Sequence, residues 1–432
     1  MKKPLLLGAG ALLAGLTALV WGLNVRDEAD VRVPVAAPAP TDTLIARGAY
    51  LARAGNCLAC HTARGGPAYA GGRAIDTPFG AVFTSNLTPD DKTGIGTWSS
   101  AHFWRAMHNG RSRNGRLLYP AFPYPNYTQV TREDSDALYA YLQSLPPVVQ
   151  ANRAHALRFP YQSQAALAVW RALFFSPGVY QRDASRSAEW NRGAYLARGL
   201  GHCSACHTAR NVLGGSSAGL DLAGGLIPMQ NWYAPSLTSA HEAGLEHWDK
   251  QHIVSLLKTG VSPRGSVTGP MAEVVLRSTQ YLSNEDLGAM AQFLQELPRL
   301  GPDSHSAQPV VRSRKTASTF SAAIPGAKLY EQHCAQCHGA AGQGVPGAYP
   351  PLAGNRAVTM ASTANLVQII LNGAYAPATE GNPRPYGMPP FVLVLDDNAI
   401  AAVLTHIRIS WGNEAGEVSP LEVNRIRAHQ GR

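Results

Sequence analysis

All six cysteines of the chain fall in three copies of one pattern: Cys57-Leu-Ala-Cys60-His61, Cys203-Ser-Ala-Cys206-His207 and Cys334-Ala-Gln-Cys337-His338. Two thiols three residues apart, followed at once by an imidazole, suit the attachment of haem c. The thiols form thioethers with the two vinyl groups of one porphyrin, and the histidine ligates the iron. A zinc site needs four ligands, usually from two such clusters close together, and a thiol redox pair has no need of the histidine. The spacing therefore predicts three covalently bound haem c groups. Cys57, Cys60, Cys203, Cys206, Cys334 and Cys337 are the attachment points, and His61, His207 and His338 the axial ligands. No thiol is left for a disulfide or a catalytic nucleophile.

A haem iron that only carries electrons often takes methionine as sixth ligand, and a thioether there raises the potential. Met388 stands in a Pro-flanked loop, Tyr386-Gly387-Met388-Pro389-Pro390, and Met271 in Gly269-Pro270-Met271. Both precede a final apolar helix and are the expected ligands of the third and second irons. Met229, Met290 and Met360 are the rivals. The matching loop of the first unit, Leu118 to Tyr124, has Phe122 instead. There the candidates are Met107, His108, His102, or no protein group. A ligating histidine also needs an acceptor for its other ring nitrogen. Pro350 and Pro235 are placed to offer a carbonyl, with Phe83-Thr84-Ser85 at the equivalent point of the first unit.

These motifs need a scaffold, and the sequence repeats one. Arg47-Gly48-Ala49-Tyr50-Leu51-Ala52-Arg53 recurs unchanged as residues 192–198, and more loosely as Gly326-Ala327-Lys328-Leu329-Tyr330. Each copy leads into a haem motif and reads as a short helix whose glycine lets another helix approach closely. Each unit closes on an amphipathic helix with apolar residues at i, i+3, i+4 and i+7. These are Leu138, Tyr141, Leu142 and Leu145; then Leu287, Met290, Leu294 and Leu297; then Ile400, Val403, Leu404 and Ile407. Thr131-x-x-Asp134 and Ser283-x-x-Asp286 start the first two.

At 432 residues the chain has room for about three domains. Lys and Arg number 37 against 28 Asp and Glu, without a long basic run, which argues against nucleic acid. Met1-Lys2-Lys3-Pro4 precedes an apolar stretch from Leu5 to Leu23, an export signal or membrane anchor with the lysines inside. The expected organisation is mainly α. Residues 1–23 form the signal or anchor, 24–41 a Pro/Ala tether, and 42–147 the first haem unit. Residues 148–187 are a linking segment, 188–298 the second unit, 299–322 a linker, 323–412 the third unit, and 413–432 a polar tail. Within the linking segment, residues 166–175 read as a helix packed between domains, or as a docking surface for a membrane or partner.

The runs RGAYLARAGNCLACHTA, TPFGAVFTSNLTPDDKTGIGTW, RLLYPAFPYPNYT and EWNRGAYLARGLGHCSACHTARN go well beyond the haem motif. In them the chain resembles the triheme cytochrome c subunits of bacterial membrane-bound dehydrogenases, from about residue 42 to 411. That group includes subunits of the alcohol, gluconate, sorbitol and aldehyde enzymes. The resemblance implies three tandem cytochrome c domains and an electron-transfer role at the periplasmic face of the cytoplasmic membrane. It implies a catalytic dehydrogenase subunit as partner, of flavin, quinoprotein or molybdenum type, and ubiquinone as acceptor. Alcohol-enzyme members carry Met where this chain has Phe122, a departure that tilts the partner toward a flavin or molybdenum enzyme. The competing readings are a self-sufficient, peroxidase-like haem enzyme using an open first haem, and a haem subunit of a terminal oxidase.

Overall fold

The computed structural model describes residues 2–28, 31, 40–216, 218–298 and 325–428. The expected linker at 299–322, and most of the tether, lie outside the described residues. The described chain is mainly helical, with short two- and three-stranded sheets. It clusters into two compact bodies. One holds Met1–Arg186, Ala194–Ala205 and Arg210–Ser217; the other holds Ser187–Gly193, Cys206–Ala209 and Ala218–Arg432.

In the first body, α1 (Lys2–Val25) is the apolar N-terminal helix. Helix α2 (Asp42–Ala54) carries the first copy of the repeated heptad and packs on α4 (Arg132–Gln143), with α3 (Ser100–Asn109) against α4. Leu51, Ala52, Leu138 and Leu142 are buried at the α2–α4 crossing. Gly48 makes the crossing possible, because a Cβ there would run into the Ala137 carbonyl. Thr131 caps α4 by accepting the Asp134 N–H. The Asp134 carboxylate turns away from the cap and accepts two N–H groups of Arg47, at 2.8 and 2.5 Å, and the Tyr195 hydroxyl at 2.6 Å.

The linking segment 148–187 adds structure to this body. Its strand β3 (Ala156–Leu157) pairs with β2 (Gly80–Phe83), which pairs with β1 (Ala74–Thr77), all antiparallel. Its helix α5 (Gln164–Phe174) packs on α1, burying Leu167 and Arg171 and leaving Val169 and Leu173 exposed.

Helix α6 (Ala188–Arg198) carries the second heptad. In the second body it repeats the α2–α4 device. Gly193 sits against the Ala289 carbonyl of α9 (Asn284–Gln295), and Arg192 forks onto Asp286 at 2.7 and 2.8 Å. Helices α7 (Lys250–Thr259) and α8 (Gly269–Arg277) complete this region. The third copy follows, with Gly326 of α10 (Gly326–His333) against the Ala402 carbonyl of α12 (Asp397–Ile409). Helix α11 (Ala364–Asn372) ties both regions into one body. The Asn365 amide donates to the Tyr233 carbonyl and accepts the Tyr233 N–H, both at 2.8 Å. The expected polar tail contains α13 (Pro420–Ala428), whose Val423 is buried in the core around Ile400, Val403 and Leu404.

Candidate functional site

Each haem motif lies on a short helical turn just beyond its repeat helix: Cys57–Cys60, Ser204–His207 and Ala335–His338. The three histidines share one geometry. The Nδ1 of His61 is 2.7 Å from the Ser85 carbonyl, that of His207 is 2.7 Å from Pro235, and that of His338 is 3.0 Å from Pro350. With Nδ1 donating to a carbonyl, the tautomer is fixed and Nε2 is the nitrogen left for iron. Burial lowers the pKa of all three, against the opposing pull of that same carbonyl, so each ring is neutral as a ligand must be.

A glycine holds the other side of each histidine. The N–H groups of Gly71, Gly224 and Gly344 donate to the carbonyls of His61, His207 and His338 at 2.8, 2.7 and 2.8 Å. Their φ values of +76°, +83° and +66° belong to glycine. A Cβ would meet the backbone that supplies the acceptor, at 2.5 Å from Ser85, 2.7 Å from Ser236 and 2.5 Å from Tyr349. Sequence reasoning placed the acceptor carbonyls at the two Pro positions and the 83–85 stretch but missed these glycines. Their spacing from the histidine differs in every unit, so no periodic signal marks them.

The six cysteines are half-buried. Burial, then the neighbouring Cys60, pushes the Cys57 thiol up to about 12; burial and Cys337 push Cys334 up to about 11. Thioether formation needs both thiols of a motif within reach of one porphyrin, and each pair lies within or at the start of one short helical turn. Among the described residues no three His, Cys, Asp or Glu side chains gather where they could hold a metal ion themselves. The donor set fits haem c. Two arginines absent from the sequence reading brace two of the turns: Arg73 donates to the Ala59 carbonyl at 2.6 Å and Arg210 to the Ala205 carbonyl at 2.9 Å.

The expected sixth ligands occupy different settings. Met388 is in strand β9 (Gly387–Met388), paired with β8 (Ala374–Tyr375), and is half-buried against the core around Ile400 and Leu404, as are Cys334 and Leu352. Two further hairpins precede it in the chain: β4 (Gly225–Ile227) with β5 (Trp232–Ala234), and β6 (Val261–Ser262) with β7 (Gly265–Ser266). Met271 lies in the first turn of α8, behind Pro270, and is also half-buried. Met290 and Met360 are core residues, 3% and 5% exposed, while Met229 is 61% exposed.

In the first unit Phe122 is 5.3 Å from the Tyr127 ring, and Tyr127 lies beside Cys57 and Cys60. A phenyl ring offers iron nothing. Met107 is buried on α3. The His108 Nδ1 is 2.9 Å from the Thr128 carbonyl, and its ring stacks on Trp104. The His102 Nδ1 accepts the Ser99 N–H at 3.2 Å in the capping box that starts α3. The structure also joins the segments leading into the first two motifs. His202, buried beside Tyr127, bonds to the Gly55 carbonyl, which accepts the Tyr127 hydroxyl at 3.0 Å.

The chain matches the Cytochrome c family at residues 45–146 and 323–411. It is 39% identical to an alcohol dehydrogenase (quinone) cytochrome c subunit of Gluconacetobacter polyoxogenes, over 90% of this chain and 85% of that one. It is 37% identical to a gluconate 2-dehydrogenase cytochrome c subunit of Pantoea cypripedii, over 90% and 92%. A fructose dehydrogenase cytochrome subunit of Gluconobacter japonicus is 35% identical, over 95% and 87%.

Proposed function

Because the chain belongs to the cytochrome c family, among the cytochrome c subunits of dehydrogenases, we propose that it is a triheme electron relay. Three tandem cytochrome c units, at the periplasmic face of the cytoplasmic membrane, take electrons from a catalytic dehydrogenase subunit and deliver them to ubiquinone. Substrate oxidation belongs to that partner. The observation that carries the reading is the threefold histidine clamp, in which one carbonyl and one glycine N–H hold each motif histidine in the same way.

Bound haem c supplies a one-electron Fe(III)/Fe(II) couple. The chain's own groups hold that couple in place and tune it. The cysteine pairs fix the porphyrin, and the clamped histidines present Nε2 without reorienting. Met271 and Met388 offer thioethers that favour the reduced iron. Around the third motif, Leu329, Val367 and Leu371 belong to a buried apolar core against which Cys334 packs, and such surroundings would lower the solvent rearrangement accompanying each electron on a haem held there.

The test is to purify the chain from its own membranes in mild detergent. The pyridine haemochrome assay is expected to give three haems per chain. A large dehydrogenase should accompany it at equal stoichiometry and reduce added ubiquinone. Two haems per chain would remove the triheme reading. A solitary chain that turned over peroxide would replace the relay with a self-sufficient enzyme.

A further inference from the structure

The outer end of α1 is built into the first body through polar groups. The Asn24 side chain donates to the Ala168 carbonyl and accepts from Arg171 Nε, both at 2.9 Å. The Asn24 carbonyl accepts from Arg111 at 3.0 Å, and the Asp27 carbonyl from Asn109 at 3.0 Å. Glu28 lies 3.6 Å from Arg105 and 3.4 Å from Arg111. Arg26 donates to Ser176 at 2.9 Å. Several of these groups are deep: Asn24 is 7% exposed, Arg105 7% and Arg171 3%. The Arg171 guanidinium is also held over the rings of Phe175 and Tyr124, at 4.7 and 5.2 Å. Buried cations require partners. If the segment up to Val25 were removed, Arg171 Nε would lose its acceptor and the Ala168 carbonyl its donor.

The rest of the helix has the opposite character. Leu7–Val25 is 19 residues long with a mean hydropathy of 1.5, and only 6% of it is buried. At about 1.5 Å per residue that length approaches the ~30 Å of a hydrocarbon core. The residues that follow the apolar stretch, Asn24-Val25-Arg26-Asp27-Glu28, contain no small-x-small pair of the kind a signal peptidase cuts.

We infer that Lys2–Val25 is a permanent membrane anchor, and that its outer end, from Asn24 to Glu28, is a structural part of the first body. The export signal and the anchor are one helix, and α5 is its brace.

The inference rests on the reading that the chain is exported, and its failure would be separate. The haem-loaded chain purified from membranes is expected to have an intact mass that includes Lys2–Val25, and to resist alkaline carbonate extraction. A mature N-terminus beyond Val25 would overturn the inference and leave the relay standing. The structural half is read by hydrogen exchange on the full-length Asn24→Leu variant. Amides of α5 should exchange at least about tenfold faster than in the parent, with those of α9 unchanged as an internal reference. Unchanged exchange in α5 would show that the anchor merely leaves the body without bracing it.

Discussion

Replacing Gly193 with alanine sets two known effects against each other. In a helix interior alanine is favoured over glycine by about 1 kcal/mol. If α6 were an ordinary helix, Gly193→Ala would stabilise the protein. Here the new methyl would collide with the Ala289 carbonyl and come within 3.0 Å of the Met290 nitrogen. Both are backbone atoms, so no side-chain rotation relieves the contact. Parting α6 from α9 would loosen the packing around Leu287 and Phe293, both fully buried. Overpacking of this kind costs about 1–3 kcal/mol, occasionally more, and a backbone clash lies at the upper end. Subtracting the propensity gain leaves a net loss of about 2 kcal/mol, which in a body of this size lowers Tm by about 4–8 °C. Gly48→Ala and Gly326→Ala face the same collision and should behave alike. Gly416 has nothing within 4 Å of its Cβ position, and Gly416→Ala should be neutral. Thermal unfolding followed by far-UV circular dichroism on the haem-loaded protein reads all four. If Gly193→Ala melted at or above the parent temperature, the close helix crossing would be refuted.

Asp134→Asn should cost about 2–3 kcal/mol and Asp286→Asn only about 1 kcal/mol. Asp134 is 2% exposed and serves both Arg47 and Tyr195, whereas Asp286 is matched to an Arg192 side chain that is 37% exposed; urea midpoints would rank them. Met388→Ala and Met271→Ala should each keep the haem attached but lower one potential by on the order of 0.1 V, within the ~0.8 V that axial ligands span. A redox titration matching the parent would reject the ligand assignment. His406, packed against Tyr330 and Trp411, has its pKa lowered by burial. Below pH ~6.5 the unfolded chain therefore takes up the proton first. Stability should fall as the pH drops from about 6.5 toward the depressed folded value, and His406→Gln should flatten that slope in pH-dependent unfolding.

The repeat, its glycines and the terminal helices were legible in the sequence because each has a residue signature. Gly48 and Gly193 stand in identical heptads, and Thr131 and Ser283 cap where their types predict. The acceptor carbonyls could be anticipated at Pro235 and Pro350 because a proline marks the rigid turn. The glycines that clamp the histidines from the other side left no such trace, since a backbone N–H has no letter of its own. Strand β3 was also invisible: two residues, Ala156 and Leu157, have no period to detect. The cap aspartates were read for their place at a helix start, but their carboxylates do their work on arginines of another helix. Helix α13 was hidden by its polar composition, with Val423 as its buried foothold.

The Asp134 carboxylate, shared between Arg47 and Tyr195, bears on the history of the chain. Tyr50 and Tyr195 occupy the same place in the duplicated heptad, yet Tyr195 has been drawn onto the aspartate of the earlier copy. The two copies share a heptad letter for letter, yet this bond makes the second a donor to the first. A recombination crossover between the first two copies would separate donor from acceptor and leave the buried carboxylate to Arg47 alone. Exchanging the second copy whole would therefore have to replace that hydroxyl as well as the haem motif.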